Sequence, residues 1–145
     1  MLYLGADHAG FKLKEGVKKF LDKKGIKYKD LGAKTLDNQD DYVDYAAEVG
    51  KRIRSETKGI LFCGSGFGMS IAANKIKNVR AVNIYTVREA ELSRMHNDAN
   101  VLCLSGWMIT RKQAKKIINK FLNTKFSKAK RHERRIKKIK KLRQK

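Results

Sequence analysis

The sequence predicts an α/β protein, a three-layer αβα sandwich built on a five-stranded parallel sheet with a C-terminal helical tail. Two observations predict it. Short apolar runs of strand length alternate along the chain with stretches of helical period. Glycine-containing turns punctuate several of the junctions between them. Leu2–Ala6 reads as the first strand, and Phe11, Leu13, Val17, Phe20 and Leu21 then build one helical face that Gly25 stops. Ile26–Leu31 is strand-like with lysines alternating outward, and Asp41–Glu56 reads as a helix carrying Tyr45, Ala46, Val49 and Ile53. Gly59–Cys63 is a short buried strand, and a helix over Met69–Lys75 follows a glycine loop. Arg80–Ile84 and Asn100–Leu104 are further strands, with a helix over Val87–Met95 between them. Thr110–Leu122 is amphipathic through Ala114, Ile117, Ile118 and Phe121, and a last helix starts near Lys130 with Ile136, Ile139 and Leu142 on one side.

Five strands alternating with helices imply a parallel sheet covered on both faces, in a Rossmann-like arrangement. Ligands of such sheets sit beyond the carboxyl ends of the strands. Asp7-His8 follows strand one and Cys63 ends strand three, so both belong to that edge. His96 precedes strand five and must reach it by the end of its helix or from a neighbouring subunit. The last helix is too polar for a core element, and its apolar stripe suits packing along a surface or across an interface.

At 145 residues, one domain is the default, divided into an α/β unit over 1–124 and a basic helical tail over 125–145 that belongs to the same domain. No apolar run approaches the roughly 20 residues of a bilayer span, and no signal-like leader precedes Leu2-Tyr3-Leu4. A cytoplasmic protein is expected, with Cys63 and Cys103 as thiols rather than a disulfide. The formal charge is +21, of which the tail, with twelve Lys/Arg against one Glu, carries +11. Such charge suits nonspecific nucleic-acid binding or phosphorylated small molecules. No aromatic residue follows Phe126 to stack on bases.

The three histidines and Cys63 all lie in short motifs. Gly64, Gly66 and Gly68 let the backbone after Cys63 turn tightly and aim amides at one spot, where a helix start adds positive potential. Such a loop can hold a phosphate or the oxyanion of an enediolate. A dinucleotide site fails on order, because the loop follows strand three and Asp30 lies upstream of it. A thiol beside these amides has its thiolate favoured and can act as base or nucleophile, whereas Cys103, within Val101-Leu102-Cys103-Leu104, reads as core. Asp7-His8 could equally be a capped turn, and His96 a solvent-facing helix end. Arg131 and Arg135, four apart on one helical face, can grip a phosphate together, although the tail's charge makes such a pair common by chance. No histidine or cysteine cluster has metal-ligand spacing.

Together these residues resemble the ribose-5-phosphate isomerase B family, in the group that includes the galactose-6-phosphate isomerase subunits. The resemblance runs through Gly5-Ala6-Asp7-His8-Ala9-Gly10-Phe11, Asp41-Tyr42 and Cys63-Gly64-Ser65-Gly66-Phe67-Gly68-Met69-Ser70 to Asn74-Lys75. It continues in Arg80-Ala81-Val82, Leu92-Ser93-Arg94-Met95-His96-Asn97-Asp98 and Arg131-His132 with Arg135. It implies interconversion of ribose 5-phosphate and ribulose 5-phosphate through an enediolate, in the non-oxidative pentose phosphate branch, without metal or cofactor. Cys63 would be the base, with the Ser65 hydroxyl close to it, and the amides from Gly64 through Gly66 and Phe67 to Gly68 would hold the enediolate oxygen. His96 would assist ring opening with Asp7 as its proton partner. Asn97 would bind a sugar oxygen, Tyr42 would line the site, and His8, Arg131 and Arg135 would hold the phosphate, with Arg134 as a further candidate. The site would lie at the interface of a homodimer or tetramer. Val43 stands where the family usually has proline, and Ser65 where threonine is commoner.

Other readings are a hexose-6-phosphate isomerase acting on allose or galactose phosphates, a nucleic-acid-binding protein on this scaffold, and a cysteine hydrolase using Cys63 and His96. The last needs those two side chains in hydrogen-bond contact.

Overall fold

A computed structural model describes residues 1–142; the last three residues of the tail lie outside it. Strands β1 (Leu2–Ala6), β2 (Tyr28–Asp30), β3 (Lys58–Cys63), β4 (Ala81–Asn83) and β5 (Val101–Ser105) form one sheet in the order β2-β1-β3-β5-β4. All four pairings are parallel, with Ala6 opposite Phe62 and Cys63 opposite Ser105. The helices are α1 (His8–Lys23), α2 (Tyr42–Arg52), α3 (Phe67–Asn74), α4 (Val87–Asn97), α5 (Arg111–Asn123) and α6 (Lys130–Lys141). The expected α/β sandwich with a helical tail is what forms.

The period-2 alternation of β3 sorts its side chains between two cores. Ile60 and Phe62 join Leu4, Val17, Leu102, Ile117 and Phe121 under α1, α4 and α5. Leu61 and Cys63 face the other way, with Val49, Met69, Val101 and Cys103 under α2 and α3. Cys63 is therefore the last residue of the central strand on the α2/α3 face. At roughly 25 cal/mol per Å² of apolar surface removed from water, these two cores supply the main driving force for folding.

Helix starts follow their cap residues. Asp7 caps α1 by accepting from the Gly10 amide at 2.9 Å, and Asp41 caps α2 through Val43. Thr86 with Glu89, and Thr110 with Gln113, form reciprocal capping boxes at α4 and α5. Each cap is worth about 1 kcal/mol.

Most elements match the sequence reading to within a residue or two at each end, and two differ more. Helix α2 ends at Arg52, because Ile53 turns extended and buries itself while Thr57 Oγ1 accepts from the Arg54 amide at 2.6 Å. The stripe of α6 seats only partly: His132 and Ile136 are buried, whereas Ile139 and Leu142 are exposed. The tail is fixed to α4, where Arg94 Nε donates to the Thr124 carbonyl and the Ser127 amide to that of Met95.

Candidate active site

Cys63 sits where β3 gives way to the loop that leads into α3. The Gly66 amide donates to its Sγ at 3.1 Å. Gly66 takes a left-handed φ of 86°, and a Cβ there would lie 2.4 Å from Asn83 Oδ1, so both its backbone and its missing side chain are required. Asn83 Nδ2 and the Tyr85 hydroxyl both donate to the Ser65 carbonyl, which fixes the loop from β4. The Ser65 hydroxyl accepts from the Phe67 amide at 3.3 Å. Thus the Gly66 and Phe67 amides both donate within the loop, to Cys63 Sγ and Ser65 Oγ.

Burial, the largest influence, pushes the Cys63 thiol above its ordinary value, although the amides of Gly66, Met69 and Ser65 pull the other way. The nearby Asp7 carboxylate adds to the rise. The expectation of a lowered thiol pKa is therefore corrected: desolvation outweighs the dipoles. Cys103 is fully buried in the core, as its apolar run implied, and burial drives its thiol still higher.

The β1 end supplies the next two groups. Asp7 is buried beside β3, with its amide donating to the Phe62 carbonyl at 3.2 Å. Burial raises its carboxyl above the usual range despite the Gly10 hydrogen bond. His8 Nδ1 meets Asp40 Oδ1 at 2.7 Å, and the His8 amide donates to the same oxygen at 3.0 Å. This hydrogen bond raises the His8 pKa and favours a positively charged imidazole facing solvent. Tyr42 lies against α3, where a Cβ on Gly68 would come within 2.7 Å of its hydroxyl.

Three contributors escaped the sequence reading. Asp40 holds His8 from 32 residues away. Trp107 lays its indole against Gly64, where a Cβ would meet it at 2.4 Å, yet the residue is 73% exposed. Ser105 Oγ donates to the Gly64 carbonyl at 2.6 Å and accepts from the Met108 amide, tying the loop to the turn after β5. The available signal was position: Ser105 and Trp107 follow a strand of the parallel sheet and so fall at its carboxyl edge.

The remaining candidates lie at the other edge. His96 and Asn97 end α4 just before β5 begins, and β5 pairs with β3 from Val101 opposite Gly59 to Ser105 opposite Cys63. That register separates the two edges by about 13 Å of strand. The end of α4 therefore does not carry His96 to Cys63 within the chain, and Asp7 is not its neighbour there. His96 instead stacks on His132, with ring centroids 4.4 Å apart and planes 12° from parallel. Burial lowers the His132 pKa, reinforced by the positive fields of His96, Arg131 and Arg135. Arg131, Arg134 and Arg135 are exposed on α6. The two edges carry complementary halves of the expected constellation.

Residues 2–139 match the family described as Ribose/Galactose Isomerase. A probable ribose-5-phosphate isomerase B of Mycoplasma genitalium is 39% identical over 141 residues, which cover 95% of this chain and 92% of that protein. The ribose-5-phosphate isomerase B of Mycobacterium tuberculosis strain H37Rv is also 39% identical, over 93% of this chain and 85% of its own. Among solved structures, a ribose 5-phosphate isomerase from Thermotoga maritima is similar with a TM-score of 0.93 and 44% identity, covering 97% of each chain. The Mycoplasma genitalium enzyme with bound ribulose-5-phosphate gives a TM-score of 0.92 at 39% identity, covering 96% of this chain and 93% of that one. With the fold, the Cys63 loop and nearly the whole length in common, the chain belongs to the Ribose/Galactose Isomerase family.

Proposed function

We propose that this protein interconverts ribose 5-phosphate and ribulose 5-phosphate, with Cys63 as the base. The observation that carries the reading is the placement of Cys63, at the carboxyl end of the central strand with an amide on its sulfur and Asp7 nearby. The Cys63 thiolate takes the proton from C2 of the open-chain aldose, and the C1 carbonyl oxygen gathers the charge as an enediolate. Return of that proton to C1, with loss of the O2 proton and protonation of O1, gives the ketose. A raised thiol pKa makes the thiolate scarcer at neutral pH but a stronger base once formed.

On this reading the site is completed by a second copy of the chain. His96, Asn97, Arg131 and Arg135 lie at the edge opposite Cys63, so a partner's set must supply ring opening, a sugar contact and the phosphate grip beside His8. The exposed apolar side chains of Phe67, Ile71, Trp107 and Met108 on and beside the Cys63 loop suit burial by that copy. Holding the phosphate far from the reacting carbons orients them for proton transfer. A homodimer, or a tetramer built from it, and cytoplasmic residence with free thiols at Cys63 and Cys103 are parts of the same proposal.

The test is conversion of ribose 5-phosphate by the purified protein and by Cys63→Ala, with chelator present. Activity lost on substitution with the fold retained is expected. Inactivity of the unaltered protein on this pair, with activity on allose or galactose 6-phosphate, would move the substrate to six carbons.

A further inference from the structure

A second concentration of positive charge lies away from the Cys63 loop. A cleft of about 380 Å³ opens at the amino edge of the sheet, where Arg54 precedes β3 and Lys58 begins it, Arg80 precedes β4, Arg94 lies in the last turn of α4 and Lys140 approaches from α6. Among the described residues, Asp98 is the one carboxylate lining it. Both its oxygens are taken, Oδ2 by Arg80 Nη2 at 2.8 Å and Oδ1 by Arg94 Nη1 at 2.7 Å. Arg94 is buried, and its guanidinium is held further by the carbonyls of Thr124 and Ala99. Arg80 Nε donates to the Asp98 carbonyl at 2.8 Å. Two guanidinium groups are thus fixed on a single negative charge, which leaves them a surplus of one positive charge. Arg54, Lys58 and Lys140 add three more, and none has an ion-pair partner among the described residues.

Such crowding of like charges costs free energy unless something answers it. Lys58 registers that cost: burial lowers its pKa, and the Arg94 charge lowers it further, against weaker opposing effects of Asp98 and Glu56. A rigid pair of arginines flanked by longer, unpaired cations in a concave site matches a compact anion bearing several charges.

We propose that this cleft is a second anion site, separate from the catalytic one, which takes a small multiply charged phosphate compound through Arg54, Lys58 and the fixed Arg80–Arg94 pair. The bound oxyanion supplies the negative charge that Asp98 alone does not, and Lys140 closes over it from the tail.

The test is calorimetric titration of the full chain with inorganic tripolyphosphate at low, fixed salt. Variants are Arg54→Ala/Lys58→Ala, Arg131→Ala/Arg135→Ala, and the surface control Lys23→Ala/Lys24→Ala. The expected result is binding weakened tenfold or more by Arg54→Ala/Lys58→Ala, retained in the other two, with isomerase kcat and KM unchanged by that first variant. If Arg54→Ala/Lys58→Ala does not fold, judged by circular dichroism, Lys58→Gln alone replaces it with the same criterion. Equal weakening by the surface control would show a diffuse field and overturn the site. So would unchanged binding in Arg54→Ala/Lys58→Ala, or displacement of tripolyphosphate by single-stranded RNA at equal phosphate concentration, which would assign the cleft to a polynucleotide.

Discussion

The Gly66 amide donates to the Cys63 sulfur over 3.1 Å, and only a glycine can hold that amide there. The left-handed φ and the nearness of Asn83 Oδ1 both exclude a side chain. Gly66→Ala is expected to lower kcat at least tenfold and to destabilise the fold by about 1–2 kcal/mol. Steady-state kinetics and urea unfolding check both. Near-normal activity would mean that the amide does not serve the thiol.

Burial governs Cys63, so its thiolate should form above the pH at which an exposed thiol ionises. Alkylation by iodoacetamide, followed as rate against pH on the resting protein, should show a midpoint above the ordinary thiol value, and kcat/KM should rise over the same range. A midpoint below that of a free thiol would restore the dipole-dominated picture.

His8 owes its raised pKa first to the hydrogen bond with Asp40. Asp40→Asn should move the imidazole titration to lower pH, so that the positive charge is lost earlier as pH rises. NMR titration of His8 reads the shift directly. KM for the sugar phosphate should rise near neutral pH with kcat little changed. An unmoved titration would show that Asp40 only positions the ring.

Lys14 is fully buried and places its ammonium 2.8 Å from both oxygens of Asp30. Burial resists ionisation of Asp30, yet Lys14 and Lys18 prevail and hold its carboxyl below the usual range. Because the folded pKa is depressed, this contribution to stability is full above the ordinary carboxyl value and is lost as pH falls below it. Asp30→Asn is expected to cost about 3–5 kcal/mol at neutral pH, since it strands a buried charge. The difference should shrink as pH drops toward 3. A cost under about 1 kcal/mol would mean that Glu15, 3.5 Å from Lys14, takes over the pairing.

The sheet was legible because strand identity rests on short local apolar runs, as in Ile60 to Cys63, and helix starts rest on caps beside them in sequence. Asp7, His8 and the Cys63 loop were legible because a parallel sheet sends every strand end to one edge. Asp40 and Trp107 were not, since their contacts depend on how segments 32 and 43 residues apart meet in space. The Cys63 pKa was misjudged for a related reason: the amides are visible in a glycine motif, but the depth of the sulfur is not. That His96 precedes strand five was legible too, but the choice between its own helix end and a neighbouring subunit rested on where α4 stops against the strand register.

The most direct measurement is activity complementation between two inactive variants, Cys63→Ala and His96→Ala, unfolded together and refolded as a mixture. If each site takes Cys63 from one chain and His96 from another, a mixed dimer keeps one intact site. About a quarter of the unaltered activity should then return when the chains pair at random. A mixture as inactive as its parts would contradict a shared site and place the whole reaction within one chain.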